Sequence, residues 1–68
     1  MEIIINHTKR KFTTPPAHLE ALLAIELPGK TKGIAIALNG RIVPLANWAS
    51  TPLQNLDSIL IITATQGG

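Results

Sequence analysis

The chain has no cysteine and no tyrosine, and only one phenylalanine and one tryptophan among its 68 residues. The first absence excludes disulfides, thiolate metal sites and a cysteine nucleophile. Any sulfur chemistry must therefore take place on something other than a side-chain thiol. The shortage of aromatics leaves the core to Ile, Leu, Val and Ala. It also removes the flat platforms on which nucleic-acid bases stack. Charge is scarce too: Asp, Glu, Lys and Arg make up 15% of the chain, where about 25% is usual. With 46% hydrophobic residues, some apolar surface is expected to stay exposed, and a contiguous patch of that kind marks a partner. No apolar run approaches the ~20 residues that span a bilayer. The start, Met1 to Asn6, lacks the basic flank and small-residue cleavage site of a signal peptide. Cytoplasmic residence is the expectation.

What is present fits one small domain over residues 1–68. A chain of this size buries only ~60% of its unfolded surface, so its stability is modest. The net charge is +2, from six Lys and Arg against four Asp and Glu. Three of the six cations stand together at Lys9-Arg10-Lys11. A solvated strand or turn is preferred for this run over a nucleic-acid patch, because aromatic partners for bases are missing.

Residues 2–6 predict a strand, since Ile3, Ile4 and Ile5 are β-branched and continuous. Asn6-His7-Thr8 is a turn, with Asn tolerant of positive φ. Lys9 to Thr13 returns as a polar edge strand. Proline is well placed in a first helical turn, so a helix is expected from about Pro16. Leu19, Leu22 and Leu23 fall on one face of it, and Pro28-Gly29 stops it. Gly29-Lys30-Thr31-Lys32-Gly33 is a polar loop whose spacing does not match a phosphate-binding loop. Ile34 to Asn39 is a third strand, Asn39-Gly40 the strongest turn signal, and Arg41 to Val43 a short fourth strand ended by Pro44. Ala46 to Ser50 makes one helical turn around Trp48, and Gln54 to Asp57 turns the chain into a last strand that begins at Asp57. The order predicts an α+β domain of two layers, a mixed sheet of four to five strands with one main helix on one face. A last strand beside the first would be parallel to it. The expected core is Ile3, Ile5, Leu19, Leu22, Leu23, Ile36, Ile59 and Ile61, with Trp48 partly buried. His7 and His18 are read as solvated and too isolated for catalysis. Asp57 and Glu20 have no evident partner, and no spacing supports a metal site.

The chain ends in Thr65-Gln66-Gly67-Gly68. At a glycine frequency of ~7%, two in succession at a fixed place occur about once in 200 chains. Without a Cβ, such residues pass through a narrow channel and present a bare terminal carboxylate. A β-rich run opening into that carboxylate points to a C-terminus that is itself the reactive group, with a flexible tail from about residue 65 to 68.

Taken together, Met1-Glu2-Ile3-Ile4-Ile5-Asn6, the stretch Leu38-Asn39-Gly40-Arg41-Ile42-Val43-Pro44 with Trp48-Ala49, and the ending Gln66-Gly67-Gly68 resemble the ThiS family. That family comprises sulfur carriers of thiamine biosynthesis with the ubiquitin-like β-grasp fold. The resemblance covers nearly the whole chain. It implies a protein co-substrate, not an enzyme, with no bound cofactor and no metal. Gly68 would be adenylated by a ubiquitin-activating-type adenylyltransferase that uses ATP, then converted to a thiocarboxylate. The sulfur donor would be of the cysteine desulfurase type. Thiazole synthase would take the sulfur to build its ring from a deoxyxylulose phosphate and a glycine-derived imine. Gly67 would give reach, and Gln66 and Thr65 would line the partner's channel. Neither nucleic acid nor membrane is an implied partner, and the free protein would be a monomer. One departure stands out. The turn before the last strand often reads Asp-Gly-Asp in this family, whereas here it is Asn55-Leu56-Asp57, and Leu is a poor residue for positive φ.

Two close alternatives share the fold and tail: a sulfur carrier for molybdopterin synthase, and a ubiquitin-like modifier joined to lysines through Gly68. A nucleic-acid module resting on Lys9-Arg10-Lys11 is a more distant one. The strand pattern also predicts a partner surface. If Ile59 and Ile61 face the helix, Leu60, Ile62 and Ala64 face away, and Ile4 on the adjoining strand joins them. These four are the expected partner-binding residues.

Overall fold

A computed structural model of the protein describes residues 1–29 and 32–63. In chain order it contains β1 (Glu2–Ile5), β2 (Thr8–Lys11), α1 (Leu19–Glu26), β3 (Ile34–Leu38), β4 (Arg41–Val43), a 3-10 helix (Leu45–Ser50) and β5 (Ser58–Thr63). The strands form one five-stranded sheet in the order β2-β1-β5-β3-β4. The last strand is therefore the middle one. It runs parallel to β1, as expected for a last strand beside the first, and antiparallel to β3. No described helix is long and apolar enough to cross a membrane.

Turn chemistry sets the two hairpins. Asn6 and His7 have φ of 48° and 70°, and Ile5 pairs with Thr8 directly across them. Asn39 and Gly40 have φ of 50° and 86°, and Leu38 pairs with Arg41. Positive φ at both central residues is the type I′ geometry, whose twist matches that of the flanking strands. The first turn is thus one residue shorter than Asn6-His7-Thr8.

The helix begins later than the prolines suggested, at Leu19. His18 is its N-cap: the Ala21 backbone N–H donates to His18 Nδ1 at 3.1 Å. Satisfying one of the orphan N–H groups of the first turn is what a cap does. His18 is therefore half-buried and structural, not solvated. Leu19, Leu22 and Leu23 form the buried face, and Leu27 closes the helix by donating its N–H to the Leu23 carbonyl at 2.7 Å.

The core lies between α1 and one face of the sheet. Ile3, Leu19, Leu22, Ile36 and Ile59 are all but inaccessible, joined by Ile5, Leu23, Trp48 and Leu53. Ile61, expected in the core, is only half-buried at its margin, where it lines a hollow with Ile5, Asn6, Glu26, Leu27 and Thr63. Trp48 is more buried than expected, at 3% exposure, and its indole N–H donates to the Val43 carbonyl at 2.8 Å. Burial of a Trp needs such a partner for its N–H. The 3-10 helix that carries it packs against α1, on the helix side of the sheet.

Asp57 has partners that its position in sequence concealed. Its carboxylate is buried, accepting from the Gln54 N–H at 2.7 Å and from Asn39 Nδ2 at 3.0 Å. Those two bonds offset the cost of taking a polar group out of water. Asp57 closes the turn before β5 instead of opening the strand, which begins at Ser58.

Candidate functional site: the open sheet face at the end of the central strand

Residues alternate across a sheet, so the register assigns each side chain to a face. Ile36 pairs with both Val43 and Ile61, and Leu38 with Ile59, which places these on the helix side. The residues between them face the other way. Leu60 lies opposite Ala37, and Ala37 opposite Ile42, so one row crosses three strands. Ile62 lies opposite Ala35 in the next row. Ile42, Ile62 and Leu60 are 65%, 46% and 38% exposed. The intervening alanines are too small to rise between them, and the face carries a shallow apolar surface. A hollow of about 200 Å³ opens beside it, lined by Ala37, Leu60, Ser58, Gly40 and His7.

Of the four residues expected to bind a partner, Leu60 and Ile62 are on this face and exposed. Ile4 shares the face, opposite Ser58 on one side and Lys9 on the other, but is only half-buried and not openly exposed. Ala64 lies outside the described residues, as do Thr65, Gln66, Gly67 and Gly68. Sequence reasoning missed Ile42. Its signal was the alternation Arg41-Ile42-Val43 after the Asn39-Gly40 turn, since a hairpin of that length fixes which residue shares a face with Ala37. The 3-10 helix leaves this face uncovered, because Trp48 turns its packing toward α1.

The basic run divides between the two faces. Lys9 and Lys11 pair with Ile4 and Glu2 and stand at the rim of the open face. Arg10 points to the helix side, where Nη1 meets Glu26 Oε1 at 2.7 Å and the guanidinium lies 5.8 Å from the Phe12 ring centre. All four residues of β2 are exposed, as a solvated edge strand requires.

The chain is drawn into the base of β5 by side-chain amides and a carboxylate. Asn55 Oδ1 accepts from the Glu2 N–H at 2.8 Å, and Asn39 Oδ1 accepts from the Ser58 N–H at 2.9 Å. The Asp57 N–H donates to the Gln54 carbonyl at 3.1 Å, closing a four-residue turn with Leu56 at φ 70°. A turn with positive φ at its third position is one that glycine ordinarily fills. Leu56 accepts that conformation with its side chain 53% exposed. Its N–H donates to the Glu2 carbonyl, which ties the turn to β1 and holds it in place despite the strain.

A central parallel strand clasped between two hairpins, with one helix across a single face, defines the ubiquitin-like β-grasp class. The chain also matches the ThiS family over residues 3–68. It belongs to that family of sulfur carriers. Among solved structures, the fold is similar to that of the thiamine biosynthesis protein ThiS from Geobacter metallireducens, with a TM-score of 0.84 at 16% identity, covering all of both chains. No curated protein matches.

Proposed function

We propose that the protein carries sulfur on its own C-terminus and delivers it to thiazole synthase for the thiazole of thiamine. The observation that carries this reading is that the family match runs through to Gly68. The strand that leads toward this terminus is the central one of the sheet. In the first step a Gly68 carboxylate oxygen attacks the α-phosphorus of ATP, held by an adenylyltransferase of the ubiquitin-activating type. Pyrophosphate leaves and an acyl-adenylate forms. The terminal sulfur of a persulfide on a donor of the cysteine desulfurase type then attacks that carbonyl, AMP leaves with an acyl disulfide formed, and a thiol reductant cleaves the S–S bond to release the thiocarboxylate. The protein is a co-substrate throughout. ATP belongs to the partner, and the carrier brings no cofactor or metal of its own.

The described face suits this role. Leu60, Ile62 and Ile42 form an apolar surface beside the strand that leads into the tail. Ala64, expected on that surface with Ile4, Leu60 and Ile62, continues the chain from Thr63 toward Thr65, Gln66 and Gly67. Five residues follow Thr63, and an extended chain of that length reaches at most ~18 Å. A partner that grips the face therefore has its nucleotide within that distance of Thr63. Adenylyltransferase and thiazole synthase use one surface in turn and compete for it. The molybdopterin branch would need the same tail, and the family match to ThiS favours thiamine.

The test is mass spectrometry after incubation with adenylyltransferase, ATP and a sulfur donor. Replacement of one carboxylate oxygen by sulfur adds about 16 Da at the C-terminus. Deleting Gly68 is expected to abolish adenylation with the fold intact, because the carboxylate loses its in-line approach. Normal adenylation of the shortened chain would overturn the reading.

A further inference from the structure

The two flanks of β5 are held very differently. On the β3 side five residue pairs run from Leu38–Ile59 to Ile34–Thr63. On the β1 side there are only two, Ile4–Ser58 and Ile5–Ile59. The backbone bonds there stop with the Asn6 N–H donating to the Ile59 carbonyl at 2.9 Å. At that point the chain turns away through Asn6 and His7. The outer half of β5, nearest the tail, loses its strand neighbour on that side.

The side chain of Asn6 takes the vacant place. The Ile61 N–H donates to Asn6 Oδ1 at 2.7 Å, and Asn6 Nδ2 donates to the Ile61 carbonyl at 3.3 Å. A carboxamide offers the same donor and acceptor as a peptide group. It therefore supplies the next rung of the parallel ladder after the backbone has left. The residue bonded in this way lies two positions before Thr63, the last described residue of β5.

We propose that Asn6 is a positioning residue for the reactive terminus: its carboxamide prolongs the β1–β5 pairing by one rung and fixes the direction in which β5 delivers the tail. The role in catalysis rests on the sulfur-carrier reading above; the role in aiming β5 does not. Asn6 acts through Ile61. Its partner surface, on the open face, is separate from this contact. The effect on adenylation should therefore fall on turnover and spare docking, since misplacing a carboxylate forfeits proximity without weakening the grip elsewhere.

The alternative is that Asn6 serves only the turn, because Asn tolerates its φ of 48°. Asn6→Gly separates the two roles. Glycine accepts that φ at least as well, and removes the carboxamide. Three measurements on this variant decide the matter. Amide exchange at Ile61 should accelerate about tenfold relative to Ile59, as the local bond is lost. Residual dipolar couplings of the Ile62 and Thr63 N–H groups should change while those of Ile36 and Leu38 do not. Adenylation should lose about tenfold in kcat with KM for the carrier unchanged. Asn6→Asp, which keeps an acceptor for the Ile61 N–H, should recover part of the exchange protection and of kcat. Unchanged exchange at Ile61 in Asn6→Gly, or unchanged couplings beyond it, overturns the proposal. So does wild-type kcat in a variant whose couplings have shifted. If the wild-type protein is itself not adenylated, the sulfur-carrier reading fails, and the exchange and couplings still decide whether Asn6 aims the strand.

Discussion

Ile59 and Leu60 are neighbours in β5 and nearly the same size, yet Ile59 is 1% exposed and Leu60 38%. The difference repeats along the strand and across the sheet. Toward α1 the aliphatic side chains meet Leu19, Leu22, Leu23 and Trp48 and are closed off from water. On the other side Leu60 lies opposite Ala37, Ala37 opposite Ile42 and Ile62 opposite Ala35, and the three larger side chains stay exposed. A stable two-layer domain needs only one covered face. Aliphatic residues kept on the uncovered one add little to stability and cost solubility, which is what supports the docking role proposed for them. The same aliphatic chemistry is thus covered on one face and exposed on the other, and the pleat of the strand decides which.

That division is testable, and the largest effect should come from the covered face. Leu22→Ala should cost ~2–5 kcal/mol in denaturant unfolding, the range for a buried leucine left as a cavity. Leu60→Ala, also a leucine truncation, should cost well under half of that. Equal losses would mean that the open face is part of the core. On the open face the effect should move to binding. Ile62→Asp is expected to weaken both adenylyltransferase and thiazole synthase by more than ~2 kcal/mol, the scale of an interface hot spot, with little change in the unfolding midpoint. Ile42→Asp should do the same if the row across β4, β3 and β5 acts as one surface. Wild-type affinity in both variants, by titration calorimetry, would move the docking site elsewhere.

Smaller effects belong to the margins of the two faces. Leu56→Gly should stabilise by about 0.5–1 kcal/mol, because it relieves a left-handed leucine whose side chain is already half in water. A loss of stability there would show that the Leu56 side chain contributes packing that its exposure hides. Arg10 and Lys9 are adjacent in β2, and only Arg10 faces an acid. Arg10→Ala should cost up to about 1 kcal/mol and Lys9→Ala almost nothing, since exposed ion pairs are screened. The thermal midpoints of the two variants measure that gap.

Much of this was legible without coordinates. Three β-branched residues in succession, an Asn-Gly pair and leucines spaced by three and four fix the elements, because these patterns act within a few residues along the chain. Alternation gave the faces of β5, and so Leu60 and Ile62. The resemblance in the Asn39-Gly40 stretch and the Gly67-Gly68 ending pointed to the family. The sequence also put the Asn55-Leu56-Asp57 turn in question, since leucine is a poor residue for positive φ; the turn keeps that geometry all the same, with Leu56 at φ 70°.

What escaped were contacts between residues distant in sequence. The cap bond between His18 and Ala21 is local, but the start of the helix is fixed by a bridge from His18 to Pro52 and by Thr51, whose carbonyl accepts from the Leu19 N–H at 3.1 Å. Asp57 looked unpaired because one of its partners, Asn39, lies 18 residues away across the sheet. Ile42 joined the open face only once β4 was set against β3. Asn6 was legible as a turn residue, but not as a rung against Ile61, 55 residues further along. Local pattern determined which segments are strands and helix, since propensity and periodicity need no partner. Tertiary structure alone decided which polar side chains are satisfied, which apolar ones stay in water, and what holds the central strand on its course. Each of those depends on which strand comes to lie beside which, and pairing is a property of the folded sheet.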